Sequence, residues 1–219
     1  MRPGLDDVRD RQFGVFTSWQ VLCEYTRVEM RGFLDRGEWV RVFRGVYRAA
    51  ETPCTTRMRI EAARLLLGLP SVTAGYGSAA ELHGFSVGAE PVHVFGARSS
   101  RTKRLIVHHD RVDDAELEVV QGVVVTNLVR TVADVARTVE WSMALATLNG
   151  ALRQGVSREA LVAELGRHER RLGWGRAVEL LESAGRDAAE ARECVSRIDL
   201  RAVRSRPRCA SGESRLYAG

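Results

Sequence analysis

The sequence is nearly without lysine: Lys103 stands alone, and every other basic residue is arginine. Any contact to a phosphate or a base edge must then come from guanidinium groups, which pair bidentately and keep their charge. The bias itself reads as the compositional habit of a GC-rich genome rather than as a functional device. Cysteine is sparse and scattered. Cys23, Cys54, Cys194 and Cys209 form no Cys-x-x-Cys pair, which argues against a zinc ribbon and a disulfide scaffold and leaves reduced, mostly buried thiols as the expectation. No apolar run approaches the ~18 residues needed to cross a bilayer, and the start, Met1-Arg2-Pro3-Gly4-Leu5-Asp6-Asp7, has no apolar signal core. We therefore expect a cytoplasmic protein with no membrane partner. Also missing are a Walker or dinucleotide-type glycine motif, a Gly-x-Ser-x-Gly elbow and any HExxH or HxxEH spacing. Neither an enzyme nor a cofactor is expected.

What is present is ordinary soluble composition: 219 residues, 45% hydrophobic and 28% charged, with a formal net charge of +5. That length suits one large domain, or a small reading domain with a second one behind it. The modest positive balance fits an anionic partner without establishing one. Residues 1–50 read as helix, helix, helix, hairpin. Residues 55–184 interleave strands and helices without regular βαβ alternation and end in helices, so the fold class is α+β. Residues 185–219 carry eight arginines and few aliphatics, the signature of a poorly ordered tail.

The strongest pattern lies between Phe16 and Arg48. Ser18 is placed to cap a short helix, Trp19 to Glu24. Thr26-Arg27-Val28-Glu29 then matches a capping box, in which the hydroxyl and the carboxylate each satisfy one orphan amide. The helix it starts runs to Arg36 and stops at Gly37. Within it Met30 and Leu34 are spaced to face inward, while Arg27 and Arg31 share another face. This is the layout of a recognition helix: a short amphipathic rod whose outer face carries groups able to pair with guanine or clamp phosphate. Glu29, committed to the capping box, is structural. Trp39-Val40-Arg41-Val42-Phe43 and Val46-Tyr47-Arg48 flank Arg44-Gly45 as a hairpin, that is, a wing. Residues 26–48 hold six arginines against Glu29, Asp35 and Glu38. The DNA-contacting set is thus Ser18, Arg27, Arg31, Arg41, Arg44 and Arg48, with Arg27 and Arg31 as base readers and Arg41, Arg44 and Arg48 as backbone clamps. The competing reading is a protein-interaction module, because a small helical bundle in an arginine-biased chain carries such side chains anyway.

Elsewhere the signals are weaker. Thr55 or Thr56 can cap a helix with Ile60, Ala63, Leu66 and Leu67 inside; Val72-Thr73-Ala74 reads as a strand; Thr126 caps a helix through Ala136. Ser78 reads as a helix cap. The run Arg98-Ser99-Ser100-Arg101-Thr102-Lys103-Arg104 is either a second phosphate contact or a solvated loop. His108-His109-Asp110 invites a metal, but His83, His93 and His168 are dispersed and no metal site is expected. Arg130 and Asp134, four apart, most simply stabilise their own helix.

Five stretches together carry a family resemblance. Gly14-Val15-Phe16-Thr17 with Arg36-Gly37-Glu38-Trp39-Val40-Arg41-Val42 and Arg44-Gly45-Val46-Tyr47-Arg48 resembles the N-terminal domain of AbiEi-family antitoxins. Ser78-Ala79-Ala80-Glu81-Leu82-His83-Gly84 and Thr126-Asn127-Leu128-Val129-Arg130-Thr131-Val132-Ala133-Asp134 resemble the two signature helices of the adjoining domain. The resemblance spans about residues 12–184. It implies a repressor that binds its own promoter as double-stranded DNA, and a nucleotidyltransferase-like toxin as partner. Longer relatives continue into a Vsr-like, restriction-endonuclease-type domain. Where that would begin, near Asp187, this sequence turns arginine-rich. The Glu-x-Lys pair that such a nuclease needs for its divalent metal is missing, and Asp187, Glu190 and Glu193 have no strand pattern around them. The remnant of such a protein is a further alternative.

Overall fold

The computed structural model describes residues 1–88 and 90–184. The tail from residue 185, with Asp187, Glu190, Glu193, Cys194 and Cys209, lies outside the described residues. The architecture is α+β, as expected: a winged helix-turn-helix followed by a mixed layer of strands and a closing set of helices.

The first unit runs α1 (Pro3–Arg11), β1 (Val15–Thr17), α2 (Ser18–Leu22), α3 (Arg27–Asp35), β2 (Trp39–Phe43), β3 (Val46–Ala49). Pro3 opens α1 at a position where a missing amide costs nothing. The short β1, absent from the sequence reading, pairs antiparallel with β3, so the sheet order is β1-β3-β2. This strand positions α2. Thr17, not Ser18, is its cap: Thr17 N–H donates to Gln20 Oε1 at 2.7 Å and Gln20 N–H to Thr17 Oγ1 at 3.2 Å. The Thr-x-x-Gln spacing permits both bonds of a capping box, which Ser18 could not make with Val21 as its third residue. The unit's own core is aromatic. Phe33 stacks on Trp39 at 4.4 Å, and Tyr25 and Phe16 meet Trp39 edge-on at 5.5 and 5.1 Å. Met30 and Leu34 pack against this cluster with Phe33.

The second segment runs α4 (Thr56–Leu67), α5 (Tyr76–Leu82), β4 (Val92–Phe95), β5 (Ser100–Arg101), β6 (Leu105–His108), β7 (Leu117–Val120), β8 (Val123–Thr126), α6 (Leu128–Thr138), α7 (Trp141–Arg153), α8 (Arg158–Arg167) and α9 (Trp174–Ser183). Thr55 caps α4 and Gly68 ends it in the left-handed conformation, but Leu66 turns to solvent. Of Val72-Thr73-Ala74 only Ala74 pairs, yet it bridges both Val94 and Val125 and so knits β5-β6-β4 to the β8-β7 hairpin. Gln121-Gly122, at φ 52° and 79°, makes the tight turn of that hairpin. Asn127 caps α6 in place of Thr126, whose hydroxyl is already engaged with Thr131 Oγ1 at 2.7 Å.

One apolar core runs across the 50–55 junction. Val15, Val42, Phe43 and Val46 of the winged unit pack with Met58, Ile60 and Ala63 of α4 and with Val92, Val94, Val107 and Val125 behind it. The hairpin's inner face is therefore spent on α4. Its outer edge and its turn are what remain for a partner.

Candidate nucleic-acid interface and a buried polar network

The helix-turn-helix presents its arginines on a braced frame. Thr26 N–H donates to Glu29 Oε2 at 2.7 Å, Thr26 Oγ1–H to the same oxygen at 2.9 Å, and Glu29 N–H to Thr26 Oγ1 at 3.2 Å. Arg2 reaches Glu29 Oε1 at 2.7 Å. The Thr26 amide and hydroxyl bonds, more than the Arg2 charge, hold the Glu29 carboxyl below its ordinary pKa. Both of its oxygens are engaged within the frame, so it is the structural residue expected. At the other end of the frame, Ser18 N–H donates to Gly45 O at 2.9 Å, tying the start of α2 to the hairpin turn. Gly45 sits at φ 74°, a left-handed conformation that closes the two-residue turn and leaves Arg44 as its exposed side chain.

The remaining contact residues separate clearly. Arg27 and Arg31 are exposed on one face of α3, Arg41 is exposed on β2, and Arg44 is exposed on the turn. Among the described residues none of these four has a hydrogen-bond or ion-pair partner. Their neighbours are otherwise engaged: Arg9 with Asp6 and Asp10, Arg36 with Glu38, Arg2 with Glu29. Arg48 departs from the sequence reading. Its Nη1 donates to the carbonyls of Ala49, Ala50 and Thr52 at 3.0, 2.9 and 2.8 Å, and it is half-buried. Through that nitrogen it clamps the chain leaving β3 and so, unlike the other four, is not a free cation. The sequence reading also missed two exposed apolar side chains on this unit, Trp19 on α2 at 77% and Val28 on α3 at 81% exposure. Cys23 and Cys54 likewise prove exposed rather than buried.

The second segment holds an extensive buried polar network. Arg130, 1% exposed, donates Nε–H to Asp134 Oδ2 at 2.9 Å and Nη1–H to Glu116 Oε1 at 3.1 Å. Arg137 binds the other Asp134 oxygen. His168 and Glu164 share a 2.8 Å bond, and Arg167 lies 3.4 Å from Glu164 and 3.7 Å from Glu116. Asp110 accepts from Tyr76 Oη and pairs with Arg171 at 2.9 Å. The Arg130–Asp134 spacing was legible as a helix pair, but its burial was not expected. Burial works against the charge on Arg130, and Asp134 with Glu116 outweigh it, so the guanidinium is held charged above its ordinary value. Burial likewise opposes the charge on Glu164 and on Asp110. Their partners, His168 and Tyr76 first, prevail and lower both pKa values.

Glu116, Glu164 and His168 lie close enough to hold a metal ion, their ligand atoms within 4.8 Å of one another. The charges argue for another occupant. Four guanidinium groups (Arg130, Arg137, Arg167, Arg171) face four carboxylates (Asp110, Glu116, Asp134, Glu164). Arg130 already takes the cation's place beside Glu116, and a divalent ion there would set a second cation against its buried guanidinium. The network fastens α6 and α8 to the turn before β7, which makes it a buttress.

His93 and His108 also meet, Nδ1 to Nε2 at 2.9 Å, with Tyr76 stacked on His108 at 3.7 Å between ring centres. Parallel pairing of β4 with β6 brings them together, and Ser78 Oγ accepts the His93 amide rather than capping α5. His83 bonds the Thr126 carbonyl at 2.9 Å and His109 is exposed, so the His108-His109-Asp110 run does not gather as a ligand set. Burial first, then the neighbouring His108 and Arg101 charges, lower His93 to about 4. Against an ordinary histidine near 6.5, the unfolded chain takes up this proton as pH falls through 6.5 while the folded chain resists it until about 4. Stability from this group is therefore complete above about pH 6.5 and declines between about 6.5 and 4. His108, also lowered by burial, acts in the same direction. We expect the unfolding free energy from urea titrations to fall over this window by about 2 kcal/mol, allowing for partial exposure, and His93→Asn to flatten the fall; an unchanged unfolding free energy from pH 7 to 4.5 would contradict it.

A groove of about 1350 Å³ lies between α1, the 51–57 segment and the end of α5. Arg9, Arg57 and Arg59 on its wall are matched by Asp10, Glu51 and Glu81, so it carries no net attraction for an anion. Among the described residues no helix is long and apolar enough to cross a membrane. No family model and no curated protein sequence matches this chain.

Proposed function

We propose that the chain is a DNA-binding transcriptional repressor acting in the cytoplasm on its own promoter, with α3 entering the major groove and the β2–β3 turn resting on the backbone. The observation that carries this reading is the set of exposed, unpartnered arginines Arg27, Arg31, Arg41 and Arg44 on the recognition helix and hairpin, with Arg11 of α1 a fifth free cation of the unit among the described residues, while Arg2, Arg9 and Arg36 are paired internally. Free cations of this kind, in a chain of net charge +5, suit phosphate and guanine. The element order α1-β1-α2-α3-β2-β3 supports it, because that order sets a capped helix beside a hairpin in the arrangement winged helices use. The resemblance to AbiEi-family antitoxins extends the proposal to an autoregulating antitoxin, non-catalytic, whose 55–184 segment engages a nucleotidyltransferase-like toxin. The test is binding to the region upstream of its own gene against random duplex at fixed salt. Promoter binding at least 10³-fold tighter is expected for a specific repressor. Equal affinity for the two would overturn autorepression, and co-purification with the neighbouring gene product without any duplex binding would leave an interaction module instead.

A further inference from the structure

We infer that Val28 reads the methyl group of a thymine, so that the recognition surface of α3 specifies thymine beside the guanines addressed by Arg27 and Arg31. The inference rests on the DNA-binding reading above and deepens it. Glu29 is removed from base contact by its capping box and Arg2, and Met30, Phe33 and Leu34 are turned into the aromatic core. The outward arc of α3 is thereby reduced to Arg27, Val28, Arg31 and Asp35. At about 100° per residue, Arg27, Arg31 and Val28 lie at 0°, about 40° and about 100°, so Val28 flanks Arg31 on the same exposed side. It stands about 1.5 Å further along the axis than Arg27 and about 4.5 Å short of Arg31, within the span of two base steps.

Val28 is 81% exposed, so the fold gains almost nothing from its side chain. A β-branched residue also disfavours a helix relative to alanine at such a site. Its two methyl groups can neither donate nor accept, and on a major-groove floor the one apolar feature that distinguishes a base pair is the C5-methyl of thymine. The occupant is set by the charges around it: Arg27 and Arg31 on the same arc and Arg44 at the turn are unpartnered cations, which suit a polyanion and not an apolar protein surface.

The experiment uses the full chain and a duplex selected from random sequence by the protein. Each thymine of the selected site is replaced in turn by deoxyuridine, which removes only the methyl. The wild type is expected to lose about three- to fivefold in affinity at one thymine adjacent to the guanines, the worth of one buried methyl, and little elsewhere. Val28→Ala should bind the thymine duplex with that same loss and show no further loss on the uracil duplex. 5-Methylcytosine at that position should rescue wild-type binding relative to cytosine. Circular dichroism and the melting temperature of Val28→Ala should match the wild type, since the side chain packs on nothing. Uracil at every position without effect, or the same uracil penalty in Val28→Ala, overturns the assignment while leaving DNA binding intact. No binding to any duplex overturns the DNA reading and this inference with it.

Discussion

Replacing Arg130 by alanine is expected to cost about 3–5 kcal/mol of folding stability, a large share of what holds a domain of this size together. The reason is the partners left behind. Arg130 is the resident cation of Glu116 and of one Asp134 oxygen, both side chains being nearly inaccessible to water. Without it Glu116 keeps the Asp113 amide bond at 2.9 Å but, as a charge partner, only the distant, mostly exposed Arg167 at 3.7 Å, while Asp134 retains Arg137. The penalty therefore falls chiefly on Glu116. Asp134→Ala should be comparably damaging, because it leaves the buried Arg137 without a carboxylate and Arg130 with Glu116 alone. Arg130→Lys should be intermediate: a single ammonium cannot span Nε and Nη1 contacts to two different acceptors. The double variant Arg130→Met/Asp134→Leu should lose less than the sum of the single losses, since a charge removed with its partner leaves less unsatisfied. Urea denaturation at pH 7 distinguishes these cases. A loss below about 1 kcal/mol for Arg130→Ala would mean that water reaches the cluster and that it is no buttress.

The sequence carried some of this and not the rest, for reasons that lie in particular residues. The α3 capping box was legible because Thr26 and Glu29 interact across three residues, and local chemistry of this kind is written in local spacing. The same rule would have chosen Thr17 over Ser18, since only Thr17 has a glutamine three residues on. The closing helices were legible too, their periodicity being local. Arg48 was not, because whether an arginine beside a turn faces solvent or folds back on three carbonyls depends on where the chain goes after Ala49. The Arg130–Asp134 pair gave no local sign of burial: Leu128, Val129, Val132, Ala133, Val135 and Ala136 share one half of α6, and Arg130, Thr131, Asp134, Arg137 and Thr138 the other, which is the pattern of a helix with a solvated polar face. The partners of that pair, Glu116, Glu164 and His168, come from segments that only the tertiary fold assembles. The pairing of His93 with His108 likewise depends on the parallel register of β4 and β6, which no turn between them announces. Local pairs were readable, whereas contacts that close long loops were not.

The interface arginines yield the other large effect. Replacing Arg27 and Arg31 together by alanine is expected to lower affinity for the promoter about 10²-fold or more, each guanine-type contact being worth about 1–3 kcal/mol of discrimination. Affinity for random duplex should fall far less, so the ratio between the two collapses. Arg44→Ala should behave differently. Held at the turn by the bond from Ser18 to Gly45, it can reach backbone but has no helix to carry it to the groove floor, so its loss should weaken promoter and random duplex alike and reduce the salt slope by about one. Arg48→Ala should leave the salt slope unchanged and lower thermal stability, since its guanidinium serves the loop. None of the exposed replacements should shift stability by more than about 0.5 kcal/mol, because Arg27, Arg31 and Arg44 touch no partner in the folded chain. That separation gives the comparison its force: a drop in promoter binding by an Arg27→Ala/Arg31→Ala protein that melts with the wild type can only be a loss of contact with DNA. If promoter and random duplex lost affinity equally in that variant, α3 would be a phosphate-binding helix and sequence would have to be read elsewhere.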